Sequence, residues 1–298
     1  PVIAIVGGQG PIVIGGSGGS LLQEGSGFAS DAISASILEA GRDEDVKAIV
    51  FRVDSPGGSP TASDQIWRAI ERVQEEQQKP VVVSMASVAA SGGYYVSTGA
   101  DWIVANRTTI TGSIGIFGGK FAIDEGLARI GINAESIIVG GPFTGAFSTT
   151  AAFTDEQRAM VRAWLERGYN RFIGLVSEGR EMSLEQVDAV ARGRVWSGED
   201  ALAQGLVDEL GGLSTAIEKA RILAEIEADS EIRLMNFPQS SPGFAMFGAQ
   251  AGASAQELKA IGQLAQIISD PEVQALITEA EAARSSRIQA RMPSFIER

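Results

Sequence analysis

Three short apolar runs, at 46–53, 81–85 and 102–105, alternate with segments of helical period, and each run stops abruptly at small or turn-forming residues. A run apolar on both faces needs cover on both faces. Strand, loop and helix repeating in this order therefore predict a parallel sheet flanked by helices, an α/β architecture. The first run ends at Asp54-Ser55-Pro56-Gly57-Gly58. The second leads into Ser87-Val88-Ala89-Ala90-Ser91-Gly92-Gly93-Tyr94-Tyr95, which reads as the start of a helix. Residues 60–77 form a helix, with Ile66, Ile70 and Val73 on one face.

Other elements follow from local signals. Residues 2–6 and 11–14 are short β-like runs separated by glycines, which predicts a hairpin or paired strands. Residues 28–40, 121–130, 154–178, 183–191, 197–204 and 214–226 read as helices, the long one opened by Thr154 with Asp155 and Glu156 in its first turn. Residues 136–139 and 232–237 read as strands. Residues 1–237 then form one domain, the Gly/Ser/Pro/Ala-rich stretch 238–252 a linker, and 253–298 a helical tail with helices at 255–268 and 271–283.

Composition removes several functions. The 298 residues carry a net charge of −13, which gives no basic field for nucleic acid. With neither histidine nor cysteine, the preferred ligands of zinc, copper and iron are missing, and no metal or cofactor is implied. The first residue is Pro1, and no apolar stretch of about 18 residues occurs, so a targeting or membrane segment is expected upstream of this chain.

Ser91 is the leading nucleophile candidate. A strand that delivers a serine into small residues at a helix start exposes its hydroxyl among free backbone N–H groups, which suits acyl transfer. A Ser-His-Asp triad is impossible without histidine, so the proton acceptor must be of another kind, and a desolvated lysine of lowered pKa is the common solution. Gly57 and Gly58 let a carbonyl approach the backbone and are candidate oxyanion donors. Taken singly, Pro-Gly-Gly is a tight turn, Ser91 a helix N-cap, and Ser113 a turn residue.

Four motifs in order change that balance: Val-Asp-Ser-Pro-Gly-Gly at 53–58, Ala-Ala-Ser-Gly-Gly-Tyr-Tyr at 89–95, Thr-Gly-Ser-Ile-Gly-Ile-Phe-Gly at 111–118 and Gly-Arg-Val-Trp-Ser-Gly-Glu-Asp-Ala at 193–201. Over 46–211 the chain resembles the carboxy-terminal half of the long-form signal peptide peptidase A (protease IV) family, serine-lysine peptidases of the Clp protease/crotonase superfamily. The resemblance implies a Clp protease/crotonase-like parallel sheet. It makes Ser91 the nucleophile, Gly57 and Gly58 the oxyanion hole, and Ser113 the group that orients the catalytic lysine. It also implies an oligomer at the periplasmic face of the bacterial inner membrane, acting on signal-peptide remnants.

The lysine departs from the pattern. Short-form members carry it in a Gly-X-X-Lys-like segment some fifty residues after the nucleophile, whereas Gly140-Gly141-Pro142-Phe143-Thr144-Gly145-Ala146 has none. Of the five lysines, Lys47, Lys79, Lys219 and Lys259 read as solvated surface charges, and only Lys120 lies close to the motifs. The resemblance implies that the base comes from a separate lysine-bearing amino-terminal domain. Two other readings stand beside the peptidase: a crotonase-like acyl-CoA enzyme, which no basic cluster for coenzyme phosphates supports, and a catalytically silent, self-associating scaffold.

Overall fold

A computed structural model describes residues 1–15, 27–133, 137–141 and 143–238. The described residues belong to one compact unit, Pro1–Gln239. The expected linker beyond Pro238, the helices at 255–268 and 271–283, and the tail that contains Lys259 lie outside the described residues.

A nine-stranded sheet forms the centre. Its main path runs β2 (Gly27–Ala29), β1 (Val2–Val13), β3 (Val46–Ser55), β4 (Val81–Ala90), β5 (Trp102–Ala105), β8 (Glu209–Leu210). β9 (Arg233–Phe237) adds to the first half of β1, and β6 (Ile110–Gly112) to the last residues of β4. Every pairing is parallel except that of β6 with β7 (Val195–Ser197). β3 and β4 have almost every side chain buried, as strands covered on both faces must. One face carries α1 (Ser30–Arg42), α2 (Pro60–Gln77), α3 (Gly92–Ser97) and α5 (Asp155–Gly179) over Ile37, Phe51, Ile66, Val83 and Tyr94. The other is covered by α8 (Leu213–Leu223) over Ile3, Val50 and Val104.

Local chemistry explains the well-read elements. α2 has Ser59 as N-cap, accepting the Ala62 N–H, and proline in its first turn. α5 opens with a capping box between Thr154 and Gln157, and α6 (Leu184–Val190) with one between Ser183 and Gln186. Ser197 caps α7 (Gly198–Ala203).

The structure corrects several expectations. Residues 2–14 are not a hairpin: β1 is one strand, parallel to all three of its partners. Gly8 marks close approach rather than a turn, since a Cβ there would lie 2.6 Å from the Phe28 ring, and Gly10 takes a positive φ of 89° within the strand. Phe28 and Ala29 belong to β2, so α1 starts at Ser30. The second apolar run continues as strand to Ala90. The helix read at 121–130 shrinks to α4 (Asp124–Arg129), which buries no side chain, and 137–139 are not strand. Ser136 lies outside the described residues. These apolar residues point outward, with Ile137 95% exposed, so periodicity there has no core to act on.

Candidate active site

Ser91 sits at the junction where β4 becomes α3. Its backbone has φ 53°, a left-handed conformation unusual for a residue with a side chain, and its N–H donates to the Gly112 carbonyl (2.9 Å). Ser91 stands at the N-cap position of α3, as read, and its carbonyl accepts the Tyr95 N–H (2.8 Å), but its hydroxyl makes no capping hydrogen bond. Ser91 instead lines a cleft of about 870 Å³ together with Gly57, Gly58, Ser113, Ile116, Trp164, Tyr169 and Arg192.

Sheet register brings the second serine alongside. Ala90 of β4 pairs with Gly112 of β6, so Ser91 and Ser113 leave adjacent strand ends. Ser113 also has positive φ (49°), and its N–H donates to the Arg194 carbonyl (2.7 Å).

The glycines make the junction compact. A Cβ on Gly57 would meet the Gly92 nitrogen at 2.7 Å and the Ser91 Cβ at 2.8 Å, and one on Gly93 would meet the Ser55 carbonyl oxygen at 2.8 Å. The 55–58 turn is therefore pressed against the start of α3 and fastened to β1, where Ile12 N–H donates to the Gly57 carbonyl and Ser59 N–H to the Ile12 carbonyl, both at 2.9 Å. The oxyanion expectation divides here. Gly57 N–H donates to the buried Ser55 hydroxyl (3.1 Å). Gly58 N–H makes no hydrogen bond among the described residues and lies beside Gly92, whose own N–H is a first-turn orphan of α3. Gly92, the residue right after the nucleophile candidate, was not among the donor candidates read from the sequence. The junction is held from behind, where fully buried Tyr94 donates its hydroxyl to the Leu206 carbonyl (2.7 Å).

A network below the cleft fixes α3 against α2 and α5. The Tyr95 hydroxyl donates to Asp64 (2.7 Å), and Asp64 is ion-paired with Arg68 (2.8 Å) and Arg171 (3.5 Å). Burial pushes the Tyr95 phenol up, and its bond to the Asp64 carboxylate pushes the same way. Burial would raise the Asp64 carboxyl too, but the hydrogen bonds from Tyr95 and Arg68 outweigh it and hold Asp64 below the usual carboxylate range. At the rim, Tyr169 donates to Asp188 (2.8 Å), which also binds Arg192.

No lysine or carboxylate lines this cleft among the described residues. Lys120 does not reach it. Its ammonium donates to the Ser148 carbonyl (2.9 Å) and stands over the Phe153 ring (4.5 Å). Lys47 donates to the Glu44 carbonyl, Lys79 to the carbonyls of Gly41 and Asp43, and Lys219 stands over Trp102.

Residues 73–227 match the Peptidase family S49 profile. The chain belongs to peptidase family S49. Protease 4 of Salmonella typhi is 46% identical over 197 residues, which cover 66% of this chain and 31% of that protein. Protease 4 of Haemophilus influenzae is 40% identical over 234 residues, 78% of this chain and 36% of that protein. The chloroplastic serine protease SPPA of Arabidopsis thaliana is 34% identical over 246 residues, 80% of this chain and 36% of that protein. The chain thus spans about a third of the length of these relatives. S49 membership sets the site in a peptidase family rather than among acyl-CoA enzymes.

Proposed function

We propose that this chain is the nucleophile-bearing part of a serine-lysine endopeptidase that cleaves membrane-associated peptides, signal-peptide remnants among them. The observation that carries the reading is a strained, non-capping Ser91 that faces a cleft beside two N–H groups without a hydrogen bond, with no lysine or carboxylate lining it among the described residues. In the reaction the Ser91 oxygen attacks the scissile carbonyl while a neutral lysine amine takes its proton. The oxyanion is met by the N–H groups of Gly58 and Gly92, and the lysine then protonates the departing amine. Water repeats the sequence on the acyl-enzyme. Ser113, beside Ser91, accepts or donates a hydrogen bond to the amine and keeps it in place.

The lysine arrives from an amino-terminal domain of a longer protein, in an oligomer. Two observations support this: the base-free cleft, and the apolar stretch that leaves it, where Phe117 lines the cleft at 96% exposure and Phe121 is 88% exposed. Such a surface in water calls for a covering partner. Among the described residues no helix is long and apolar enough to cross a membrane, so the reading puts the anchor elsewhere in that longer protein, at the periplasmic face of the inner membrane.

The test is fluorophosphonate labelling and ester hydrolysis by the chain alone and with the lysine-bearing domain. The expected outcome is near-silence alone from pH 6 to 9 and restored turnover on addition, with a rising limb set by a depressed lysine pKa. Efficient hydrolysis by the isolated chain that Lys120→Met removes would make Lys120 the base. Absence of labelling and turnover in both samples would leave a scaffold.

A further inference from the structure

A pocket of about 290 Å³ opens at the other end of α3 from Ser91, six helical residues and so about 9 Å of helix axis away, between α2, the last turn of α5 and the turn that leads into β5. Its lining includes Trp67, Glu71, Gly99, Asp101, Leu175 and Glu178. Three of these side chains are carboxylates, and no basic side chain lines the pocket among the described residues. The arginines of the flanking helices turn elsewhere: Arg68 and Arg171 to Asp64, Arg72 to Glu76 and Arg180 to Asp208.

A second, independent observation points to a ligand. Trp67 is only 8% exposed, yet its indole N–H makes no hydrogen bond among the described residues, and it faces the pocket at Gly99, where a Cβ would lie 2.8 Å from the indole Nε1. A donor this buried without an acceptor costs free energy that a ligand carbonyl would recover. The end of α5 adds a third. Its last turn holds no basic residue, so the negative pole of a 25-residue helix meets the pocket together with the Glu178 carboxylate. Asp101 is oriented from behind, its Oδ2 accepting the Val81 N–H (2.7 Å) and the Gln74 amide (2.8 Å), whereas the Glu71 and Glu178 carboxylates accept no hydrogen bond among the described residues.

We infer that this pocket binds a basic residue, arginine or lysine, of a peptide segment: the cationic head lies among Glu71, Asp101 and Glu178, and a neighbouring peptide carbonyl accepts the Trp67 indole N–H. Among the described residues no three carboxylates stand close enough together to hold a metal ion, so the charge is one that a long side chain brings in from solvent. A polyamine would answer the carboxylates and leave the indole without an acceptor. A peptide carries both groups. The site stands apart from the peptidase reading; on that reading it gives the enzyme a second hold on its substrate, since signal peptides open with a positively charged stretch.

The test is calorimetric titration of the full 298-residue chain with acetyl-Ala-Arg-Ala-amide, the same peptide with glutamine in place of arginine, and spermidine. The arginine peptide is expected to bind about fivefold more tightly than the glutamine peptide, an advantage that shrinks as salt rises. Glu71→Gln combined with Glu178→Gln is expected to remove that advantage. Gly99→Ala, which sets a methyl group against the indole N–H, is expected to weaken the arginine peptide about threefold and leave spermidine unchanged. Equal binding of the arginine and glutamine peptides, or an arginine advantage that survives the double substitution, overturns the site. Spermidine binding as tightly as the arginine peptide, with Gly99→Ala without effect on either, overturns the assignment to a peptide. In the complemented enzyme the double substitution is expected to raise KM about threefold for a substrate with arginine remote from the scissile bond, at unchanged kcat. An unchanged KM overturns the second hold on substrate, and absence of turnover in parent and variant alike counts against the peptidase reading and leaves the binding result standing.

Discussion

The strands around Ser91 and the stretch from 117 to 147 are close neighbours in sequence, yet they obey opposite rules. In β3, β4 and α3 nearly every apolar side chain is buried, and Ser91 is held by backbone bonds on both sides. From 117 to 147 the apolar residues Phe117, Phe121, Ile130, Ile137 and Val139 are each more than 70% exposed. The contrast teaches that the first region is built to hold one strained residue still. The second carries hydrophobic surface that nothing among the described residues covers, as expected of a segment whose packing partner is another body.

The largest effect is expected at the strained residue itself. Ser91→Gly should abolish acyl-enzyme formation while raising the melting temperature by about 2–4 °C, because glycine relieves roughly 1 kcal/mol of positive-φ strain. Labelling by fluorophosphonate and calorimetry check the two halves, and a lower melting temperature would break the claim that this region stores strain. Next is Phe51→Ala, which removes a fully buried ring packed edge-on to Phe28 and should cost about 3–5 kcal/mol in denaturant unfolding.

Gly57→Val should lower turnover of the complemented enzyme roughly 10²–10³-fold, since its side chain would drive into Ser91 and Gly92 and displace the oxyanion donors. Turnover within twofold of the parent would remove Gly57 from the site.

A smaller effect is expected in acid. The folded-state pKa of Asp64 is depressed, so its stabilising contribution is present above the ordinary value of 3.8 and lost as pH falls through the folded value. Asp64→Asn should therefore flatten the stability profile below about pH 4, by less than about 1 kcal/mol because the pair is largely solvent-screened. The smallest effect belongs to the other region: Phe121→Ser should change unfolding free energy by under about 0.5 kcal/mol, yet weaken complementation by the lysine-bearing domain. A stability loss as large as that of Phe51→Ala would erase the distinction between the two regions.

Much was legible along the chain wherever the signal was local. α2 was read at 60–77 and β5 at 102–105 as they stand, because a serine cap, a proline at the first turn and an uninterrupted apolar run act within a few residues. Ser91, Gly57 and Gly58 were singled out from strand-end serine and glycine patterns, and Ser113 through the resemblance of its motif to the family. The helix at 121–130 and the strand at 136–139 misled, because their apolar pattern has the right residues and no core among the described residues to face.

What the sequence by itself determined, then, is the alternation of strands and helices, the absence of a histidine base and the identity of the serine at the end of β4. Only the tertiary structure decided which N–H groups are free. Gly57 N–H donates to the Ser55 hydroxyl, whereas among the described residues no hydrogen bond is made by Gly58 N–H, which lies beside Gly92 at the start of α3. It also set Ser113 next to Ser91 through the pairing of β6 with β4, and it left Lys120 on the Ser148 carbonyl rather than at the nucleophile. The pairing of β6 with β4 and the bond of Lys120 join residues more than twenty positions apart. Even the two-residue bond from Gly57 to Ser55 depends on the backbone turn that the packed glycines impose. Residue type and spacing carry no record of which way a backbone amide or a long side chain will turn.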